Sequence, residues 1–403
     1  MNLKFPENFF WGCATSAHQV EGNNKNNDWW RAEQIGEVPY KSEEACDSYN
    51  RYQEDFDLAK KMHNNAHRFS IEWSRIEPRE GNFNQNEIEH YRKVIHALKE
   101  RGMEPFVTLH HFTNPIWFAD IGGWANKKAP FYFARYAEYV VKNLGEEVKY
   151  WITINEPNVY VGMLALGYGP WTHWPDQSRK NFFRFMRLAK NMTKAHKKAY
   201  KKIKKLQPNS FVGLNHGNVF VGRANNNLVT YFVWFLVNWF KNKLFLNKVV
   251  RYLDFVGFSY YTRVIITPSF SNPETWVRWE HKDDRPVADG GWEIYPQGIY
   301  FVTKQAMRYK KPIFIFENGI ADADDDQRSM FIKNHLRWLH KAISEGADVR
   351  GYFYWSLLDN FEWAEGFKQK FGLVEVNFNT FERKARPSSI FYAQICKDNE
   401  LKI

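Results

Sequence analysis

The sequence predicts a (β/α)8 barrel, an α/β fold, as a single domain over residues 1–403. Three observations predict it. Short apolar runs bounded by turn residues alternate with longer stretches of helical periodicity. No long low-complexity linker interrupts the alternation. Most of the apolar runs end in polar or aromatic residues, which suits a fold whose site collects at the C-terminal ends of its strands.

Taken in order, the strand-like runs are 9–17, 66–73, 104–111, 150–155, 211–218, 255–261, 313–317 and 350–357. Helical patterns at 47–63, 86–101, 130–144, 180–206, 297–309 and 326–345 fall between them. Asn84 or Asn86 stands before a Glu-containing first turn, and Gly102, Gly145 and Gly346 follow helix ends, the residue types that start and stop helices. The fourth run, Tyr150-Trp151-Ile152-Thr153-Ile154-Asn155, is followed by Glu156 and stopped by Pro157. The seventh, Ile313-Phe314-Ile315-Phe316, ends in Glu317 and then the turn signal Asn318-Gly319.

A carboxylate at the end of a strand buried on both faces is costly unless something nearby uses its charge. One such acid is an ordinary strand end reaching solvent. Two, 161 positions apart on strands four and seven of one barrel, share a rim and form a candidate pair. Other strand ends carry Ser16-Ala17-His18-Gln19, His67-Arg68, His110-His111, Ser259-Tyr260-Tyr261 and Trp355-Ser356, the last followed by Asp359, Asn360, Glu362 and Trp363. Singly, Arg68 reads as a structural ion-pair donor, His111 as a packing residue and Tyr261 as a core ring. Seven loaded ends on one rim exceed what packing alone explains.

Composition narrows the classes. Hydrophobic residues at 44% and charged residues at 25% suit a globular chain. Aromatics at 18%, with 17 Trp, fit a cleft that stacks flat apolar faces such as sugar rings; core packing is the plainer use. Cys13, Cys46 and Cys396 give neither a disulfide framework nor a metal knuckle, and His110-His111 are too close in sequence for two good ligands on one metal. No cofactor is expected. The start of the chain lacks a signal-peptide pattern, and a cytoplasmic location is the expectation. The net charge of +11 is concentrated between Arg179 and Lys205, where apolar residues recur at helical spacing, so the charges read as a wet helix face. No nucleic-acid module accompanies them, and no nucleic-acid partner is expected. The apolar stretch 228–240 is too short for the roughly 20 residues a membrane span needs. A buried or subunit-facing helix, with a homo-oligomer through 228–246, fits it better than a monotopic lipid contact.

The motifs resemble those of glycoside hydrolase family 1, the retaining β-glycosidases, over essentially the whole chain. Phe9-Phe10-Trp11-Gly12-Cys13-Ala14-Thr15-Ser16-Ala17-His18-Gln19-Val20-Glu21-Gly22 is similar to its opening signature. Thr153-Ile154-Asn155-Glu156-Pro157 resembles its acid/base motif and Phe316-Glu317-Asn318-Gly319 its nucleophile motif. Arg68-Phe69-Ser70-Ile71-Glu72-Trp73-Ser74-Arg75 and the stretch from Trp355 to Trp363 also match, all in the family's order.

The resemblance implies Glu317 as nucleophile and Glu156 as acid/base, their carboxyls about 5–5.5 Å apart. Arg68 would keep Glu317 charged. Gln19, His111, Asn155 and Glu362 would hydrogen-bond sugar hydroxyls, Tyr261 would bond the nucleophile, and Trp355 would floor the ring with Trp363 beside it. Trp124 and Phe371 would be further walls, and Trp292 would line the leaving-group side. Phe316, Ser259, Phe112 and Asn23 depart from the family pattern; Ser259, in place of the usual Asn, is expected to weaken a contact near the leaving group. The chain is also compressed between Gly217 and Leu253. The Glu362-Trp363 pair resembles the form that reads neutral sugars, and a carboxylate there would repel a phosphosugar. The expected activity is that of an exo-β-glucosidase with β-galactosidase or β-fucosidase side activity on small β-glycosides or short oligosaccharides. The alternatives are a catalytically weak carbohydrate-binding protein on the same fold and a membrane-surface glycolipid β-glycosidase.

Overall fold

Eight parallel strands close into a ring: β1 (Phe10–Ala14), β2 (Ala66–Ser70), β3 (Glu104–Thr108), β4 (Tyr150–Asn155), β5 (Phe211–Arg223), β6 (Val256–Ile266), β7 (Ile313–Asn318) and β8 (Val349–Trp355). Each pairs with its sequence neighbour, β8 pairs with β1, and β5 pairs with β6. The structure, a computed structural model, describes residues 2–167, 181–268, 277–278 and 285–403. Arg179 and Lys180, the start of the basic segment, lie outside the described residues.

The main helices are α1 (Ser48–Lys61), α2 (Gln85–Glu100), α3 (Ala129–Leu144), α4 (Pro157–Leu166), α5 (Phe182–Leu206), α6 (Leu228–Asn242), α7 (Gln297–Ala306), α8 (Arg328–Ser344) and α9 (Pro387–Asp398). Each anticipated helix forms within a few residues of its expected bounds. Asn84 caps α2 by accepting from the Asn86 backbone N–H, and Asn181 caps α5 by accepting from Arg184.

Strand bounds differ from expectation in a consistent way. β1, β2 and β3 stop early because the chain turns into short helices or bends, so the polar residues after them sit on the rim. β5 and β6 instead run on to Arg223 and Ile266, beyond the barrel, and their tips form a small separate core of Val219, Val221, Val233, Val264 and Ile266. The compressed region between Gly217 and Leu253 is therefore a strand extension backed by α6.

The barrel interior accounts for much of the aromatic excess. Phe106, Tyr150, Phe255, Phe314, Phe316 and Phe353 fill it, with Phe10 and Phe211 at its edge. The Phe314 and Phe316 rings are parallel at 5.6 Å. Phe316 is accommodated because its neighbour on β6 is Gly257, where a Cβ would come within 2.2 Å of the Phe316 ring. This packed plug supports the site from below.

Candidate active site

A cavity of about 340 Å³ opens above the plug at the C-terminal ends of the strands. Glu156 and Glu317 both line it. Glu317 sits near the end of β7, whose backbone is extended, while Glu156 occupies the sharp turn between β4 and α4. It adopts φ 40° and ψ 54°, the left-handed region that a non-glycine residue enters at a cost of about 1–3 kcal/mol. Phe112 and Trp363, also in the cavity lining, have positive φ as well. Gly217 on β5 leaves room for the acid: a Cβ there would lie 3.0 Å from Glu156 Oε1 and 2.5 Å from Val159.

Glu317 is held by three donors. The Arg68 guanidinium pairs with Oε1, the Asn215 amide donates to the same oxygen at 3.1 Å, and the Tyr261 hydroxyl donates to Oε2 at 2.9 Å. Arg68 is fully buried and also donates to Thr108 Oγ1 (3.1 Å) and Asn155 Oδ1 (2.6 Å), while its guanidinium lies 5.4 Å from the Phe316 ring centre. A buried cation with those partners favours the ionised form of its carboxylate neighbour. Arg68 does not itself line the cavity, so its expected place among the sugar-binding residues is corrected: it acts beneath Glu317 and Asn155.

Glu156 is in the opposite state. Burial first, and then the negative charge of Glu317, push its carboxyl up to about 8; a hydrogen bond from Ser259 and the charge of Arg68 oppose the rise. Ser259 Oγ also accepts from Asn215 Nδ2 at 2.8 Å. The chain Glu156–Ser259–Asn215–Glu317 thus joins the two acids through one hydroxyl and one amide. Ser259 sits between the acids.

The polar lining follows the expected residues closely. Asn155 Oδ1 accepts from Arg68 and Asn215, so its amide nitrogen faces His111 and donates to Nε2 at 3.2 Å. His111, whose pKa lies well below the usual value because of burial and then the Arg68 charge, is neutral and carries its proton on Nδ1. That Nδ1 is buried and has no hydrogen-bond partner among the described residues, while the ring itself lines the cavity. Gln19 Nε2 donates to Glu362 Oε2 (3.1 Å) and the Phe361 carbonyl (3.0 Å), while Ser16 fixes its Oε1 at 2.7 Å. Burial and the nearby Glu317 push Glu362 up to about 8. The charge argument against a phosphosugar therefore weakens; what remains is that Lys241 is the only lysine or arginine among the described lining residues.

Trp355 and Trp363 line the cavity, with the His111 ring parallel to each at 5.9 and 6.2 Å. Phe371, Trp292 and Tyr261 pack edge-on or tilted as one wall. Trp124 does not line the cavity that holds the two acids. It lies behind His110, donates its indole N–H to Asn114 at 2.9 Å, packs with Trp73, Phe118 and Phe133, and borders a separate cleft of about 690 Å³ that shares Phe112 with the first. Asn215 was missed. Its signal was a polar residue inside the run Phe211-Val212-Gly213-Leu214-Asn215, visible but not distinguishable from a strand-end polar group.

The model of "Glycosyl hydrolase family 1" matches residues 1–227 and 241–401. "Beta-glucosidase A" of Thermotoga maritima is 34% identical, with all of both chains covered. A "Beta-galactosidase" of Pyrococcus woesei is 32% identical over 98% of this chain and 97% of its own. Among solved structures, the "beta-glycosidase from Pyrococcus horikoshii" superposes with a TM-score of 0.93 at 41% identity, over 100% of this chain and 97% of that one. With the barrel closed, the acids on one rim and the matches running end to end, the chain belongs to glycosyl hydrolase family 1.

Proposed function

We propose that Glu317 is the nucleophile and Glu156 the acid/base of an exo-acting retaining β-glycosidase, a β-glucosidase with β-galactosidase or β-fucosidase side activity. The observation that carries this is the asymmetry of the pair: Glu317 is tied to Arg68, while burial raises Glu156 into the range where it holds a proton. In the first step the Glu317 carboxylate bonds to the anomeric carbon, the bond from that carbon to the aglycone oxygen breaks, and Glu156 gives that oxygen its proton. The negative charge on Glu317 is then consumed in the ester, which lowers the proton affinity of Glu156. Glu156 takes a proton from water as the water oxygen bonds to the same carbon, and Glu317 leaves as a carboxylate. His111, Asn155, Gln19 and Glu362 in the lining support reading of the sugar hydroxyls, with Trp355 and Trp363 as ring contacts. The named relatives, a β-glucosidase and a β-galactosidase, support the same pair of sugars.

Glu317→Ala should lower kcat/KM for an aryl β-glucoside by on the order of 10⁴-fold or more. Glu156→Ala should retain more turnover with an activated phenol leaving group than with an alkyl one, and added azide should restore rate by attacking the glycosyl ester without a base. Near wild-type hydrolysis by Glu317→Ala would refute the assignment. For the wild type, kcat/KM should fall as pH rises through about 8, where Glu156 loses its proton.

A further inference from the structure

Helix α6 presents the wrong face to water. Val233, Trp234 and Val237 pack on the tips of β5 and β6, with Thr230 buried beside them and Trp234 donating to the Val221 carbonyl (2.7 Å); at the far end of the helix Asn242 bonds Val219 N and O (3.1 and 2.8 Å). The opposite face carries Leu228, Phe232 and Phe235, which are 87%, 61% and 49% exposed, at helical spacing. A surface helix ordinarily has its polar side outward, and a contiguous exposed apolar patch marks a contact surface. Phe182, 54% exposed at the start of α5, stacks on Phe185, which in turn meets Phe240 of α6 at 6.2 Å.

The same two helices wall the outer part of the active-site cavity, through Phe185, Leu236, Val237 and Phe240, with Val219 and Val277 beside them. Burial alone lowers the Lys241 ammonium there to about 8, as expected in a poorly hydrated wall. The family-model match passes over residues 228–240, which supply Leu236, Val237 and Phe240 of this wall.

Charge selects the occupant. From Asn181 to Leu253 the sequence has fifteen Lys and Arg and no Asp or Glu. Arg187, Lys190, Lys194, Lys198, Lys201 and Lys205 form an exposed stripe along α5, and Arg223 borders the start of α6. A second copy docking here would bring like charges together, whereas an anionic lipid surface offers both the apolar phase and the counter-charge.

Building on the glycosidase reading, we propose that the enzyme acts on amphiphilic β-glycosides with a long hydrocarbon aglycone, held at an anionic lipid surface into which Leu228, Phe232 and Phe235 insert. The sugar enters the polar end of the cavity, and the chain leaves along Leu236, Val237 and Phe240 toward that surface.

The test combines n-alkyl β-glucosides, from methyl to decyl below their critical micelle concentrations, with vesicle sedimentation. kcat/KM should rise about two- to fourfold per methylene, the upper figure corresponding to full burial, until the chain outgrows the cavity. The protein should sediment with phosphatidylglycerol vesicles at low salt, less at high salt, and little with phosphatidylcholine. A Leu228→Ser/Phe232→Ser/Phe235→Ser variant should lose vesicle binding while hydrolysing an aryl β-glucoside within about twofold of wild type. A flat chain-length series with normal aryl-glucoside turnover overturns the aglycone class and leaves the glycosidase reading standing; loss of turnover on every glycoside strikes that reading instead. A rising series without vesicle binding overturns the surface and makes the ligand a monomeric amphiphile. A dimer seen by ultracentrifugation and abolished by the triple variant, with no vesicle binding, makes the face a self-interface and overturns lipid docking.

Discussion

The inner and outer halves of the cavity are built by opposite rules. At the inner end, strand termini place Arg68, Asn155, Asn215, Ser259, Tyr261 and both acids in one connected hydrogen-bond network above a plug of phenylalanines. At the outer end, helices α5 and α6 supply apolar side chains and leave more of the same exposed. The difference teaches where precision is needed. Bond-making tolerates little displacement, so its groups stand on rigid, buried strands. Aglycone contact needs only area and shape, and appended helices provide it.

Changes to the inner network should therefore be large and should alter the chemistry. Arg68→Met removes the cation under Glu317 and leaves a buried carboxylate unpaired. Activity should fall by roughly 10²–10³-fold, and unfolding in denaturant should register a loss of about 3–5 kcal/mol. Unchanged kcat with full stability would dissolve the contrast between the halves.

A middle-sized effect is expected at Ser259, the link between the acids. Ser259→Ala should cost about tenfold in kcat/KM. Its hydrogen bond lowers the Glu156 pKa, so its loss raises that pKa further and moves the alkaline limb of the pH profile upward. A downward movement would mean that Ser259 stabilises the protonated acid instead.

The smallest effect on catalysis should come from Trp124→Phe. This ring packs behind His110 and touches Asn114, so KM for a small aryl β-glucoside should change by no more than about threefold while Tm falls, because a buried indole loses its hydrogen bond and part of its packing. A large KM change with unaltered Tm would place Trp124 in the sugar site after all.

Much of the site was legible before folding because its residues carry two signals at once: polar chemistry and position at the end of an apolar run. Glu156 before Pro157, Glu317 before Asn318-Gly319, and His111 after its strand all show both. Asn215 shows only a polar residue within a strand, and its importance comes from reaching Glu317, Asn155 and Ser259 across 102, 60 and 44 positions. Trp124 is the converse case. Only the family resemblance places it beside the sugar, and a side chain's direction is settled by which neighbours pack around it, here His110, Phe118 and Phe133.

What the sequence determined by itself is the alternation of strands and helices, the barrel this implies, and the two acids with most of their polar company, since periodicity and strand-end position are local properties of the chain. Tertiary structure decided the rest. Burial and the charge of Glu317 set the protonation of Glu156, Gly257 made room for Phe316, and the lie of α6 on β5 chose which of its faces meets water. Each depends on the environment that distant segments create together, which no stretch of sequence contains alone.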